Sequence, residues 1–235
     1  MDLTTSYSTA LPAQTLARYE AVEVRNGAGV LSATNPDQLA DIVAVLDAFE
    51  LLTEDLVKPG GNESKLAARL NKAFRARGWR ESRVDTRMTL ALRRMPYRPA
   101  GEKKPETVET EVFNEGFKVD NILGRVALDV EWNAKDGNLD RNLSAYRALY
   151  EHALIDCAVI ITRTTKDLQE LGQRLRREAG LPEEEVVKVL ATSTTTNFDK
   201  LIPRLTRGDS GGCPVLAIGI CARTWEDAPN VTGVP

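Results

Sequence analysis

The chain is poor in the residues on which much enzyme chemistry depends. It has one histidine and three cysteines in 235 residues. The cysteines, Cys157, Cys213 and Cys221, are odd in number, and no two have the close spacing of a thiolate clamp. Structural zinc and a disulfide framework are therefore not expected. Cys157 and Cys221 stand in apolar runs, where cysteine serves as a small buried hydrophobe. Long apolar runs are missing as well: none reaches the ~18 residues of a membrane span. The first residues, MDLTTSYSTALPAQ, lack the basic start and apolar stretch of a signal peptide. A cytoplasmic protein with no membrane partner is the expectation.

A large excess of one charge sign is absent too. The net charge is −3, with 42% apolar and 28% charged residues, as in an ordinary soluble globular chain. At this length a substantial core is within reach. The net charge argues mildly against a nucleic-acid partner, but its distribution argues the other way. Residues 64–98 contain eleven Lys and Arg against two acids, Glu81 and Asp85. Clustering matters more than the total, because charges are screened beyond ~10 Å. Such a cluster suits phosphate contact or a solvated helix face.

Asn35-Pro36 reads as a helix cap with proline in the first turn, followed by apolar residues at helical spacing from Leu39 to Phe49. A stop is expected at residues 58–61. The next helix is expected over 63–77, with Leu66, Leu70, Ala73 and Phe74 as its apolar stripe. Residues 84–92 alternate loosely, as a strand would. Residues 95–111, rich in Pro, Lys and Glu, read as a mobile loop. RVALDVEW (125–132) alternates with period two: Val126, Leu128, Val130 and Trp132 take one face, Ala127, Asp129 and Glu131 the other. Helices are expected over 138–151, 166–178 and 182–190. AVIIT (158–162) and PVLAIGIC (214–221) have the continuous apolar character of strands buried on both faces. Strand–helix–strand order makes the class α/β.

Three acids attract attention: Asp120, Asp129 and Glu131. Asp129 and Glu131 leave the same face of one strand. A turn in residues 121–124 would place Asp120 beside Asp129. Carboxylates that converge repel one another, and burying them together is costly without a cation. A hard, oxygen-liking ion such as Mg2+ is the natural partner. On spacing alone, a solvated strand face explains the same pattern.

The stretch VDNILGRVALDVEW resembles the acidic core of the BglII/BstYI-type restriction endonucleases, within the PD-(D/E)XK nucleases. Asn133-Ala134-Lys135-Asp136, a helix, and Ile155-Asp156 leading into AVIIT follow in the family's order. LNKAFRARGWRESR upstream and PVLAIGI downstream also resemble family blocks. The resemblance runs from about Leu39 to Ile220. It implies a mixed central β-sheet flanked by helices. One restriction-endonuclease-like domain would span 1–235, with a helical, basic part over 35–95 and the catalytic core and DNA-reading loop over 115–222. It further implies a homodimer and Mg2+-dependent type II cleavage of double-stranded DNA at a short palindrome with a GATC-like centre.

By position in that resemblance, Asp120 and Asp129 hold the metal, helped by the Val130 carbonyl. Glu131 stands where the wider nuclease class has lysine, so what activates the water stays open: Glu131 as base, or positive charge from Lys118 or Lys135. Asp129 is one methylene shorter than the usual glutamate. Glu81 or Ser82 is a possible upstream support. DNA reading falls to Asn133 and Lys135 after the strand. The loop over 192–212 joins them, with Lys200, Arg204 and Arg207 for phosphates and base edges. An ordinary surface turn is the plain alternative for that loop.

Gly208-Asp209-Ser210-Gly211-Gly212 matches the nucleophile loop of chymotrypsin-like proteases. That chemistry needs a histidine base in an all-β setting. The sole histidine, His152, ends a helical segment too close upstream. Two rivals on the same fold are a structure-selective repair or junction nuclease and a non-catalytic DNA-binding relative. The presence of all three acids favours catalysis.

Overall fold

The computed structural model describes residues 1–58, 65–190 and 194–229. The expected stop over 59–61, the helix start at Glu63, and Thr192 and Ser193 of the reading loop lie outside them. Nine strands occur among the described residues. They are β1 (Leu3–Thr4), β2 (Glu20–Val24), β3 (Arg80–Arg83), β4 (Thr86–Arg94), β5 (Glu106–Asn114), β6 (Lys118–Leu123), β7 (Val126–Val130), β8 (Cys157–Arg163) and β9 (Val215–Ile220). The longer helices are α1 (Gly27–Thr34), α2 (Pro36–Ala48), α3 (Lys65–Ala76), α4 (Gly137–Glu151), α5 (Lys166–Glu178) and α6 (Phe198–Arg207).

Seven of these strands form one mixed sheet in the order β1-β2-β9-β8-β7-β6-β3. Its centre, β7-β8-β9, is parallel; β6 joins β7, and β2 joins β9, antiparallel. The parallel pairs need crossovers: α4 lies between β7 and β8 in the chain, and α5 and α6 between β8 and β9. Every residue of the three central strands is buried, as a sheet covered on both faces requires. The sheet is the expected mixed one flanked by helices.

Alternation decides what each face meets. Val126, Leu128 and Val130 join Val159, Ile161, Leu216 and Ile218 in one core. Leu31 of α1, Ile42 and Leu46 of α2, and Leu66, Leu70 and Phe74 of α3 complete it. The intervening residues, Ala127 and Asp129 among them, belong to the opposite face, where α4 supplies Tyr146.

Several local expectations need correction. Asn35 precedes α2, but its side chain makes no cap hydrogen bond; its amide instead donates to Thr34 and Asp156. The helix expected over 182–190 is confined to Glu183–Val186. Residues 95–111 are not all loop: β5 begins at Glu106 and pairs with β4 through nine residues, from Thr86↔Asn114 to Arg94↔Glu106. The expected reading loop contains α6. Asn197 caps it by accepting from the Lys200 N–H at 3.0 Å, and Gly208 ends it at φ +90°, a conformation open to glycine.

The chain divides into two compact units: Met1–Ser82 with Val119–Pro235, and Arg83–Lys118. The smaller unit is an arm built on the β4–β5 ribbon. All of β4 is exposed, and Met88, Leu90 and Leu92 point from one face of it at 44%, 49% and 61% exposure.

Candidate active site

The acidic cluster is built at the end of β7. Pairing of β6 with β7 runs from Leu123↔Val126 to Asn121↔Leu128, with the turn at Gly124, φ +57°. One step further along the ladder, side chains take over the hydrogen bonding. The Asp120 N–H donates to Asp129 Oδ1 at 2.9 Å, and the Val130 N–H donates to Asp120 Oδ2 at 3.3 Å. Asp120 and Asp129 are thereby brought together, as the hairpin expectation required.

Asp129 and Glu131 are not on a solvated face. They are 2% and 4% exposed, and α4 supplies donors for both. The Tyr146 hydroxyl donates to Asp129 Oδ2 at 2.5 Å. Asn142 Nδ2 donates to Glu131 Oε1 at 2.6 Å, and Asn138 Nδ2 to Oε2 at 3.4 Å. Asn138, Asn142 and Tyr146 are spaced four apart, so they form one row along the helix. These three residues, Tyr146 included, were not singled out from sequence. The available signal was that two asparagines share its row.

Burial pushes the Asp129 carboxyl up to about 7, and the charge of Asp120 adds to this against the opposing hydrogen bonds. Burial also raises Glu131 to about 7, partly offset by the Asn142 hydrogen bond. Desolvated carboxylates held this close favour protonation or a cation. Among the described residues, no three His, Cys, Asp or Glu side chains are already grouped as a metal cluster. Asp120 and Asp129 still offer hard anionic oxygens. A carboxylate oxygen that accepts one hydrogen bond keeps capacity for a further ligand, as at both Asp129 oxygens. The donor set fits a hard divalent cation.

The remaining candidates are placed as follows. Ser82 lies in β3, with β6 between it and β7, and its hydroxyl donates to Arg80 O. Glu81 is exposed on the same strand. Lys118 is exposed at the start of β6, within the arm unit. Asn133 and Lys135 are exposed just past the acids, and Asn133 adopts φ +55°, which asparagine tolerates. Lys200 pairs with Asp136 at 3.3 Å, Arg204 grips both oxygens of Asp140 at 2.7 and 2.9 Å, and Arg207 pairs with Asp209. All three cations thus carry internal acidic partners that a phosphate would have to share or displace.

The segment after β7 is tied to the segment before α6. Asp136 N–H donates to Thr194 O at 3.0 Å, and Thr196 N–H to Ala134 O at 2.8 Å. The Thr196 hydroxyl donates to the Glu131 carbonyl at 3.0 Å and accepts from the Ala134 N–H at 3.1 Å. The protease-like loop has a different role: Ser210 is buried and donates to Cys213 O, while His152 Nδ1 meets Ala148 O at the end of α4.

The family model described as restriction endonuclease BglII/BglIII matches residues 19–220. No curated protein matches the chain significantly. Among the described residues, no helix is long and apolar enough to cross a membrane.

Proposed function

From the premise that the chain belongs to the BglII/BglIII restriction endonuclease family, and so is a DNA-cleaving hydrolase, we propose that it is a Mg2+-dependent type II enzyme. It acts as a homodimer on a short palindromic site in double-stranded DNA. A two-fold protein suits a two-fold site. The observation that carries the reading is the pair of buried carboxylates, Asp129 and Glu131, beside half-buried Asp120.

Asp120 and Asp129 would hold the ion, with the Val130 carbonyl as a further oxygen. Once bound, the ion lowers the pKa of a water and neutralises charge developing on the phosphate. The chain's own contribution is orientation and proton transfer. The Asp120 N–H and Tyr146 hydroxyl fix the Asp129 carboxylate from two sides. Asn142 and Asn138 hold Glu131, whose carboxyl, raised to about 7, suits a group that takes a proton at neutral pH. Glu131 is thus the base in the position where lysine is usual. Asn133 and Lys135 face the base edges, and Lys200, Arg204 and Arg207 line the phosphate side.

The test is digestion of unmethylated phage-sized DNA by the wild type and by Asp120→Ala and Asp129→Ala, in Mg2+ and in EDTA. Discrete fragments from the wild type in Mg2+ alone, lost in both folded variants, are expected. Full activity in either variant, or cutting in EDTA, would sink the assigned roles.

A further inference from the structure

Arg163, the last residue of β8, is fully buried, and among the described residues its hydrogen bonds go to neutral acceptors. Its Nη2 donates to Thr195 Oγ1 at 3.1 Å, Leu190 O at 3.2 Å and Asn133 Oδ1 at 3.4 Å. Nη1 donates to Thr164 O at 3.2 Å. Nε meets no hydrogen-bond partner among the described residues. Burial pulls the guanidinium down to about 10, against a smaller opposing effect of Asp199. A buried cation held only by neutral acceptors is expensive. A leucine or methionine would fill this volume at lower cost, so the stability of the core does not explain the residue.

Two of its four contacts lie in the segments assigned to DNA: Asn133 in the segment after the acids, and Thr195, which bridges to Lys135 of that segment, in the one before α6. A planar fork reaches several acceptors at fixed angles, which lysine's single ammonium does not. We infer that Arg163 is a positioning residue for site recognition: it holds the 133–136 and 194–197 segments in one arrangement relative to the end of the catalytic strand. The inference rests on the proposed reading of those segments as DNA-facing.

The experiment compares cleavage of the site mapped with the wild type against duplexes with one base pair changed, for Arg163→Met, Arg163→Lys and Thr195→Val. In Arg163→Met the ratio of cognate to altered-site kcat/KM is expected to fall by about tenfold or more, since small misplacements of a recognising group cost that much. The loss should lie mainly in KM for the cognate site, and Arg163→Lys should fall between. Thr195→Val, which removes one gripped hydroxyl and is mild to the core, should reduce the ratio by a few-fold. A folded Arg163→Met with an unchanged ratio overturns the inference. So do cognate and altered-site rates that fall together, the signature of simple destabilisation. If Arg163→Met does not fold, Thr195→Val decides alone, and an unchanged ratio there is the overturning result. A wild type that yields no discrete fragments overturns the nuclease reading itself, and this inference with it.

Discussion

The sheet unit and the arm invert each other's chemistry. Around β7 the chain buries what water would solvate: Asp129, Glu131, Asn142 and Arg163 are all nearly inaccessible. Along β4 it exposes what water would exclude, in Met88, Leu90 and Leu92. The two ion pairs between β4 and β5, Arg87–Glu111 and Arg94–Glu106, join side chains between 58% and 72% exposed. Buried polar groups are costly to leave unpaired and so hold one geometry. Exposed pairs on a two-stranded ribbon are screened and weak. Precision therefore belongs to the sheet unit, and each variant below measures how far that difference extends.

The largest effect is expected at Asp129. Removing its charge with Asp129→Asn takes away part of the ion's seat, worth several kcal/mol of transition-state stabilisation. Cleavage should fall by roughly 10^3-fold or more on that basis, as measured by single-turnover digestion. Retention of more than a tenth of the wild-type rate would remove Asp129 from the centre.

The same substitution has an opposite effect on the metal-free fold. Asp129 and Glu131 are raised to about 7, so between their unfolded values near 4 and about 7 the folded chain binds more protons than the unfolded chain. Their contribution to stability is therefore fully present at low pH and is lost as pH rises through that window. At ~1.4 kcal/mol per unit, the ceiling for Asp129 is about 4 kcal/mol. In EDTA, the wild type should lose Tm relative to Asp129→Asn from pH 5 to pH 8, by up to about 10 °C at this chain length. Mg2+ should restore it in the wild type alone. A difference between the two proteins that is flat with pH would mean that Asp129 is ionised without cost.

Much of this centre was legible in sequence. Period two in RVALDVEW separated the acids from Val126, Leu128 and Val130, and the eight residues between Asp120 and Asp129 were enough for a hairpin. The row Asn138–Asn142–Tyr146 was not, because its meaning depends on which face of α4 meets β7, a tertiary fact. Arg163 was hidden for the same reason: at the end of an apolar strand, a lone arginine reads as the residue that returns to solvent. The arm was misread because proline and charge in 95–105 suggested a loop. The strand propensity of TVETEVF (107–113) is clear only once Thr86–Arg94 is available as its partner. Helix α6 was concealed by Pro203 within it and by the threonines before it.

Asn142→Ala should come next in size. It leaves Glu131 Oε1 without its 2.6 Å donor, and loss of a buried donor to a charged group costs ~1–3 kcal/mol. At pH 8 in EDTA, a lower Tm is expected, since Glu131 must then be ionised with one fewer donor; the deficit should shrink at pH 5, where Glu131 is protonated. A deficit that grows on acidification would reverse the assigned protonation state.

The smallest effect tests the other side of the comparison. Thr86 stands opposite Asn114 in the ribbon, and Asp85 Oδ1 accepts from the Gly116 N–H at 3.0 Å. The chain ends at that point are close enough for a two-residue Asn-Gly turn to replace residues 86–114. The shortened protein should keep the Tm of the sheet unit to within about 3 °C, because the excised residues supply no part of its core and their ion pairs are screened. Its Mg2+-dependent rise in Tm should also persist, since Asp120, Asp129 and α4 remain. A collapse of the thermal transition would show that the exposed ribbon supports the sheet unit despite its own weak contacts. The division between a precisely paired centre and a weakly paired ribbon would then have to be redrawn.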